Sequence, residues 1–231
     1  MVAVGLRVGN RSGGPGDDPR VDRPDPSSNH GRVIRADDIV IAPPAHDEPF
    51  DPRRFFDPQT PVELEIGCGK GGFLLDRARA HPQIGFVGIE WANKYFKYAA
   101  DRMARWNLRN VRLMRADARH VVLNSLVDDC LGALHVYHPD PWPKKRHHKR
   151  RLFQRGFVEA AVTALHGGGL WRVQTDHEEY FQVIRDLLDQ HPLLRQVPFD
   201  SDESAAPNTN FEIKYVRDGR TIYRFAVQKH P

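Results

Sequence analysis

The sequence predicts an α/β fold built on a mostly parallel, doubly wound, Rossmann-like sheet that ends in an antiparallel hairpin. From residue 62 onwards, short apolar runs of strand length alternate with segments of helical length, which is the pattern of a parallel sheet covered by helices. Near the C-terminus, residues 211–217 and 221–228 flank Asp218-Gly219, a dipeptide typical of tight hairpin turns. The last two strands are therefore predicted to be antiparallel.

Length and composition limit the number of domains. The 231 residues suffice for one good-sized core, so residues 33–231 are expected to form a single domain. Residues 1–32 are rich in Gly, Pro, Ser, Asp and Arg without any periodicity, which predicts a disordered tail. No apolar run is long enough to span a membrane. The two cysteines, Cys68 and Cys130, have no zinc-binding spacing, so we expect no metal and a cytoplasmic location.

The elements of the predicted sheet follow one another with short connections. Strands are predicted at residues 62–66, 84–89, 111–115, 131–137 and 170–175, and helices at 72–80, 93–106, 121–126, 152–165 and 176–190. The glycines at 167–169 are predicted to end the fourth helix. Possible capping boxes at Thr175…Glu178 and Asp176…Glu179 are predicted to begin the fifth helix.

A glycine-rich turn joins the first predicted strand to the first helix. Gly67, Gly69 and Gly71 fall where the backbone must turn sharply or approach a ligand closely, so we assign all three to a cofactor site. Gly67, Gly69 and Gly72 also satisfy GxGxxG, the pattern of dinucleotide-binding sites. A nicotinamide or flavin site therefore remains an alternative, as does a tight turn without a ligand.

Acidic residues at the ends of three successive strands favour S-adenosylmethionine over a dinucleotide. Glu65 immediately precedes the glycines, where a carboxylate would repel a pyrophosphate but suit an α-amino group beside a sulfonium. Glu90 ends the second strand and could accept hydrogen bonds from ribose hydroxyls. Asp117 follows the third strand and could accept one from the adenine amino group.

The fourth strand leads into the most strongly charged segment of the chain, Asp140-Pro-Trp-Pro-Lys-Lys-Arg-His-His-Lys-Arg-Arg151. Seven Lys and Arg lie between Lys144 and Arg155 without an acid, although the whole chain carries only +4. A concentrated positive charge beside a strand end favours a polyanionic partner, and the alternative is a solvated charged surface. The residues predicted to bind phosphates are Lys145, Arg146, Lys149, Arg150 and Arg151.

This motif closely resembles the signature of the bacterial tRNA (guanine-N7-)-methyltransferase family. Further landmarks of that family follow in order, from LEIGCGKG at 64–71 and GIE at 88–90 to TD at 175–176 and TNFE at 209–212. The resemblance covers about residue 62 to the C-terminus. It implies the class I methyltransferase fold, S-adenosylmethionine as cofactor, and methylation of a guanine N7 in the variable loop of tRNA.

The resemblance also implies roles for individual residues. It places Glu65, Glu90, Asp117 and Asp140 around the cofactor and makes Asp140 the active-site acid. The substrate contacts that it implies are Lys144, Asp176, Thr209, Asn210, Phe211 and Glu212. His138 departs from the family pattern, in which an apolar or aromatic residue is common two positions before the acid.

The implied chemistry needs little acid–base catalysis. Guanine N7 carries an in-plane lone pair and no proton, so placement in line with the methyl carbon is the main requirement. A fixed carboxylate near the base can stabilise the positive charge that arrives there, which is the role we expect of Asp140. A methyltransferase acting on another nucleic acid, a dinucleotide-dependent oxidoreductase and a non-catalytic RNA-binding protein remain alternatives. We expect tRNA as partner, no membrane and no obligate protein partner, with the chain a monomer or homodimer.

Overall fold

The computed structural model describes residues 33–45, 48–199 and 219–231. The predicted tail at 1–32, the first hairpin strand at 211–217, Asp218 of its turn and the substrate segment Thr209 to Glu212 lie outside these residues. Among the described residues, none of the helices is long and apolar enough to cross a bilayer.

The described residues form one eight-stranded sheet with six helices. Its strands are β1 (Val40–Ile41), β2 (Val62–Ile66), β3 (Gly85–Ile89), β4 (Val111–Met114), β5 (Leu131–Tyr137), β6 (Leu165–Thr175), β7 (Leu194–Val197) and β8 (Tyr223–Lys229). The helices are α1 (Ala36–Ile39), α2 (Gly72–Ala80), α3 (Asn93–Arg105), α4 (Ala118–Asn124), α5 (Arg155–Ala164) and α6 (Glu178–Asp189). The strand order is β1-β4-β3-β2-β5-β6-β8-β7.

The topology confirms the predicted fold class. Strands β1 to β6 pair in parallel, whereas β8 is antiparallel to both β6 and β7. From β2 the chain first winds through β3 to β4, and then returns to the other side of β2 to form β5. The carboxyl ends of β2 and β5 therefore mark the point where the winding direction reverses, which is where open α/β sheets bind ligands.

Two apolar clusters hold the helices to opposite faces of the sheet. The first contains Phe73 and Leu74 of α2 and Met103 of α3, packed beneath β3 and β4. The second contains Phe157 of α5 and Tyr180 of α6, packed against β5 and β6. The central strands are therefore buried on both faces, as expected of a parallel sheet, although β2 carries the buried carboxyls Glu63 and Glu65.

Strand β6 corrects the prediction for the glycines at 167–169. They were predicted to end a helix, but α5 already ends at Ala164, and β6 runs through the glycines to Thr175. A register irregularity lies opposite, between Leu131 and Ala133 of β5. A Cβ at Gly169 would lie 2.9 Å from the carbonyl oxygen of His166, so glycine permits the close backbone packing of this bulge.

The starts of α4, α5 and α6 also differ from the predictions, and α5 begins at Arg155, three residues later than predicted. α6 begins after His177, whose side chain accepts a hydrogen bond from the Tyr180 backbone N–H, rather than at either predicted capping box. α4 begins three residues earlier than predicted because Asp117 caps it. The four-residue strand β7 was not predicted, since a run that short carries too little pattern.

Candidate active site

The glycine turn after β2 provides a backbone that only glycine adopts easily. Gly67, Gly69 and Gly71 have φ values of 71°, 55° and 69°, in the left-handed region. At Gly71 a Cβ would also lie 2.6 Å from the terminal methyl of Met103, which would have to move, and 3.3 Å from the Cβ of Ala99. At Gly69 the nearest atom to an added Cβ is the Gly67 carbonyl oxygen at 4.0 Å, so this position faces open space.

Glu90 ties the glycine turn to the end of β3. One of its carboxylate oxygens, Oε2, accepts a hydrogen bond from the Gly69 N–H at 2.8 Å, and Oε1 accepts one from the Ala92 N–H at 2.7 Å. The side chain is only 9% exposed. Two backbone donors therefore fix the carboxylate before any ligand arrives, which favours precise orientation of a hydroxyl-bearing group.

Glu65 is a buried carboxyl beside this turn that the described protein leaves partly unsatisfied. It is 4% exposed, and its Oε2 has no hydrogen-bond partner among the described residues. Burial, followed by the nearby charge of Glu90, raises its pKa to about 8. Buried polar atoms are nearly always satisfied, so an orphaned carboxyl here indicates a ligand with a donor or a positive charge.

Asp117 caps helix α4 and is also predicted to bind the cofactor. Its Oδ1 accepts hydrogen bonds from the backbone N–H groups of Arg119 and His120 at 2.9 and 3.4 Å, which caps α4. Among the described contacts the other oxygen, Oδ2, has none. The cap aims the carboxylate, and the exposed residue still faces the cavity described next.

An open cavity of about 630 Å³ lies at the carboxyl ends of β2, β3 and β5. A volume of this size suits a nucleoside-sized ligand. The structure brings six of the predicted site residues to this cavity, namely Gly67, Gly69, Glu90, Asp117, Asp140 and Arg150, whereas Glu65 and Gly71 do not line it. Lining residues that were not predicted as ligand contacts include Trp91, Tyr95, Arg119, His138 and Trp142. Trp91, Tyr95 and Arg119 carry no charge pattern or motif that would separate them from ordinary loop and helix residues. Trp142 belongs to the basic motif, and His138 lies two residues before it, but neither was assigned a ligand contact.

The strand end that carries Asp140 is held in an unusual backbone conformation. His138 and Trp142 have φ values of 52° and 43°, which side-chain-bearing residues seldom adopt. The His138 N–H donates to the Gln174 carbonyl oxygen at 2.6 Å, and the two side chains meet at 3.0 Å. These bonds to β6 compensate for the strain and leave Asp140 exposed at the cavity wall.

Asp176 occupies the end of β6 next to this segment. One of its oxygens lies 3.7 Å from Nδ1 of His138, and the other accepts a hydrogen bond from Arg220 at 2.7 Å. His138 therefore connects the tip of β5, which leads to Asp140, with the predicted substrate residue Asp176. At the position of His138 an apolar or aromatic residue is common in the family that the sequence resembles. The connection to Asp176 therefore could not be inferred from the motif.

Most of the basic motif lies at the surface beside the cavity. Its residues Lys145–Arg150 form a 3-10 helix without a single buried member. Arg150 lines the cavity, with its guanidinium carbon 5.0 Å from the ring centre of Trp142. Arg119 of α4 donates a hydrogen bond to the Lys149 carbonyl oxygen at 3.4 Å, which connects the motif to the other side of the cavity.

Arg151 does not belong to this exposed set. It is 3% exposed, its two terminal nitrogens donate to Glu179 at 3.0 and 2.9 Å, and its Nε donates to the Pro141 carbonyl oxygen at 2.8 Å. Arg151 was predicted to bind a phosphate, but its guanidinium is bonded to Glu179 and to the Pro141 carbonyl oxygen and so holds the motif to α6. Charge runs in a sequence do not reveal which member is buried.

Comparison with known proteins assigns the chain to a protein family. A family model described as "Putative methyltransferase" matches residues 59–225. The chain belongs to this family. Two bacterial relatives named tRNA (guanine-N(7)-)-methyltransferase are similar to it: one from Myxococcus xanthus is 37% identical over 73% of this chain and 84% of its own length, and one from Alkalilimnicola ehrlichii is 36% identical over 82% and 81%.

Solved structures place the family's fold among methyltransferases. The 16S rRNA methyltransferase KamB superimposes with a TM-score of 0.55 at 13% identity, over 78% of this chain and 92% of that one. The aminoglycoside resistance methyltransferase NpmB1 gives 0.54 at 15% identity, over 77% and 91%. At such low identity these similarities concern the fold alone.

Proposed function

We propose that this family member is an S-adenosylmethionine-dependent enzyme that methylates N7 of a guanine in the variable loop of tRNA, forming 7-methylguanosine. The observation that carries the proposal is the meeting of two unlike regions at one cavity. The glycine turn, which directly follows the buried and partly unsatisfied Glu65 in the chain, lies at one end, and an exposed aspartate followed by a basic surface lies at the other. The names of the relatives support the same reaction.

The residues of the glycine end fit S-adenosylmethionine. Glu65 would accept the α-amino group, Glu90 the ribose hydroxyls and Asp117 the adenine amino group. The cofactor supplies an electrophilic methyl group bound to a positively charged sulfur. An ammonium next to the unsatisfied Glu65 oxygen would restore the charged carboxylate, which burial alone disfavours.

The residues of the basic end fit the RNA. Lys144, Lys145, Arg146, Lys149 and Arg150 would neutralise phosphates around the target nucleotide. Asp140 would orient the guanine and stabilise the positive charge that develops on the purine as N7 is methylated. N7 carries no proton, so the reaction needs no strong base. An exposed carboxylate such as that of Asp140 is therefore sufficient at this position.

The remaining features of the proposal concern the surroundings of the enzyme. We expect the predicted substrate residues Asp176 and Thr209 to Glu212 to contact the target nucleotide. We further propose a cytoplasmic location, tRNA as the only obligate partner, and a monomer or homodimer in solution.

Methyl transfer from tritiated S-adenosylmethionine to unmodified tRNA, followed by nucleoside analysis, tests the reaction. We expect 7-methylguanosine as the labelled product, with Asp140→Asn slower by ~10²-fold or more at saturating cofactor because the stabilising charge is lost. Label in another nucleoside, or in RNA other than tRNA, would favour the alternative nucleic-acid methyltransferase. Calorimetric binding of NAD in place of S-adenosylhomocysteine would instead support the oxidoreductase.

A further inference from the structure

Helix α3 presents an exposed row of aromatic and basic side chains beside the cavity. The row, called the α3 stripe here, consists of Trp91, Lys94, Tyr95, Tyr98 and Arg102. Spacings of three and four residues put Lys94, Tyr95, Tyr98 and Arg102 on one side of the helix, because an α-helix turns every 3.6 residues. Trp91 precedes α3 in the chain and lines the cavity together with Tyr95. The opposite side, with Phe96, Ala99 and Met103, is buried in the core.

The aromatic members of the α3 stripe are far more exposed than a fold alone requires. Trp91, Tyr95 and Tyr98 are 68%, 41% and 44% exposed and are three of the seven large apolar side chains exposed in the described chain. Single exposed apolar residues are common, but Tyr95 and Tyr98 on one side of α3, with Trp91 just before the helix, form a larger exposed aromatic surface. Trp91 and Tyr95 also line the cavity, so this surface begins at the mouth of the active site.

Cations lie between and beside these rings. The ammonium of Lys70, in the glycine turn, is 5.6 Å from the ring centre of Tyr98. Arg102 donates a hydrogen bond to the Lys70 carbonyl oxygen at 3.4 Å, which anchors the stripe to the same turn. Across the whole of α3, Asp101 is the one acid against four Lys and Arg, so the helix carries a net positive charge.

We propose that the α3 stripe is a second RNA-binding surface, on which unpaired bases of the tRNA stack while Lys94 and Lys70 meet the adjoining phosphates. Flat aromatic faces alternating with cations are the combination that single-stranded nucleic acid requires, because every base has a stacking face and every linkage a charge. A protein partner would instead call for an interface centre depleted of charge. The proposal rests on the proposed function, since it takes the same tRNA as its occupant.

The location gives the α3 stripe a function distinct from that of the basic motif. Asp140 and the exposed cations of the motif follow β5, whereas the stripe follows β3 on the other side of β2. An RNA held at both places would straddle the cavity, so the target base would be presented to it from a fixed backbone. The stripe is therefore expected to contribute to tRNA affinity without touching the reacting atoms.

The test compares Lys94→Ala/Tyr98→Ala with Leu193→Ala/Arg195→Ala. Neither Lys94 nor Tyr98 lines the cavity, and the second pair removes one exposed apolar side chain and one exposed cation at the opposite, amino-terminal edge of the sheet. In filter binding, the Lys94→Ala/Tyr98→Ala variant should bind an unmodified tRNA transcript about tenfold more weakly than the wild type. Its log–log salt slope should also fall by about 1. The Leu193→Ala/Arg195→Ala variant should bind the transcript like the wild type.

Further readouts separate RNA docking from other roles. Tyr98→Phe should bind tRNA like the wild type, because stacking needs the ring and not the hydroxyl. The double variant should raise the KM for tRNA while kcat and S-adenosylhomocysteine affinity stay unchanged, since it removes uniform binding. Unchanged tRNA affinity in the double variant, or a Tyr98→Phe defect equal to that of the double variant, would overturn the proposal.

Two other outcomes would assign the surface differently. Sedimentation that shows a wild-type dimer and a monomeric double variant would make the α3 stripe a contact between copies of the chain and would overturn the RNA proposal. A wild-type protein that makes no 7-methylguanosine, yet loses RNA affinity through the same substitutions, would overturn the proposed reaction and leave this binding surface in place.

Discussion

Two glutamates on β2 have the same side chain and almost the same burial but opposite surroundings. Glu63 and Glu65 lie two residues apart, so both project from the same face of the strand, and they are 7% and 4% exposed. Glu63 is bonded to Arg77 at 3.2 Å and to Nε2 of His135 at 2.9 Å. Glu65 has an oxygen with no partner among the described residues.

The pKa values follow these surroundings. Burial alone would raise the pKa of Glu63, but the hydrogen bonds and charges of His135 and Arg77 hold it well below its ordinary value. Burial also lowers the pKa of His135, whose Nδ1 meets the Tyr137 hydroxyl at 2.9 Å, which fits a neutral ring that donates from Nε2 to Glu63. For Glu65 nothing offsets burial, and its pKa is raised to about 8.

The difference separates a carboxyl used for structure from one that we propose binds a ligand. The fold satisfies Glu63, whereas one oxygen of Glu65 has no partner among the described residues. Burial and residue type alone cannot distinguish the two positions, because they are nearly equal. The partners of each carboxyl decide its role.

The largest expected effect comes from removing the structural charge. Glu63→Gln should lower the free energy of unfolding by about 3 kcal/mol or more at pH 7, because it removes the carboxylate against which Arg77 is buried. Glu65→Gln makes the same chemical change two residues away and serves as control. It should cost little, since the carboxyl of Glu65 is already mostly neutral at that pH. Equal losses in urea denaturation would remove the distinction between the two positions.

A pH series should show the raised pKa of Glu65 directly. A carboxyl with a pKa of 4.5 unfolded and about 8 folded binds its proton more tightly in the folded state. Its stabilising contribution is therefore complete below about pH 4.5 and is lost as the pH rises through 8. Cofactor-free protein should lose on the order of a few kcal/mol across this window, and Glu65→Gln should flatten the curve. A wild-type curve that is equally flat would contradict the raised pKa.

Cofactor binding should reverse the state of Glu65. Glu65→Gln should weaken S-adenosylhomocysteine by about tenfold or more, since it loses a charge-assisted hydrogen bond worth ~1.5–3 kcal/mol. Wild-type binding near neutral pH should also release a proton, visible in calorimetry as a dependence on the buffer's ionisation enthalpy. The Gln variant should lack that dependence. Proton release that persists in Glu65→Gln would assign the titrating group to another residue.

The sequence predicted the proposed ligand role of Glu65 but not the structural role of Glu63. Glu65 precedes a recognisable glycine turn, and Glu90 and Asp117 end successive strands, so parallel topology alone brings them to one edge. Glu63, Arg77 and His135 share no motif and lie up to 72 residues apart, and they meet only because β2 and β5 are neighbours. The strained backbone of His138 and Trp142 was equally invisible, because φ depends on how the finished strands are held.

The bulge in β6 shows a related limit of sequence patterns. Glycines at 167–169 signal an interruption, and the local rule for a glycine run favours the end of a helix. In the structure the interruption is within a strand, because pairing of Leu165 with Leu131 continues the sheet on the far side of it. A long-range pairing therefore overrides a local signal.

The basic motif also contains one residue that is bonded within the fold and one that is free to bind a ligand, here with positive charge. Substitutions of these two residues are expected to have the smallest effects on stability and tRNA binding. Arg151 is bonded to Glu179 and Pro141, whereas the side chain of Lys149, two residues earlier, is exposed beside the cavity. Arg151→Gln should lower the free energy of unfolding by ~1–2 kcal/mol, because Glu179 remains hydrated when its partner is lost. It should leave the salt dependence of tRNA binding unchanged.

Lys149→Gln should do the opposite. It should leave unfolding unchanged and reduce the log–log salt slope by about 1, since one phosphate contact disappears. Both variants lose one positive charge within the same segment, so a general effect of net charge would change both slopes equally. A slope that falls for Arg151→Gln and not for Lys149→Gln would mean that Glu179 releases the guanidinium when RNA binds. The arginine would then have to be counted again among the phosphate ligands.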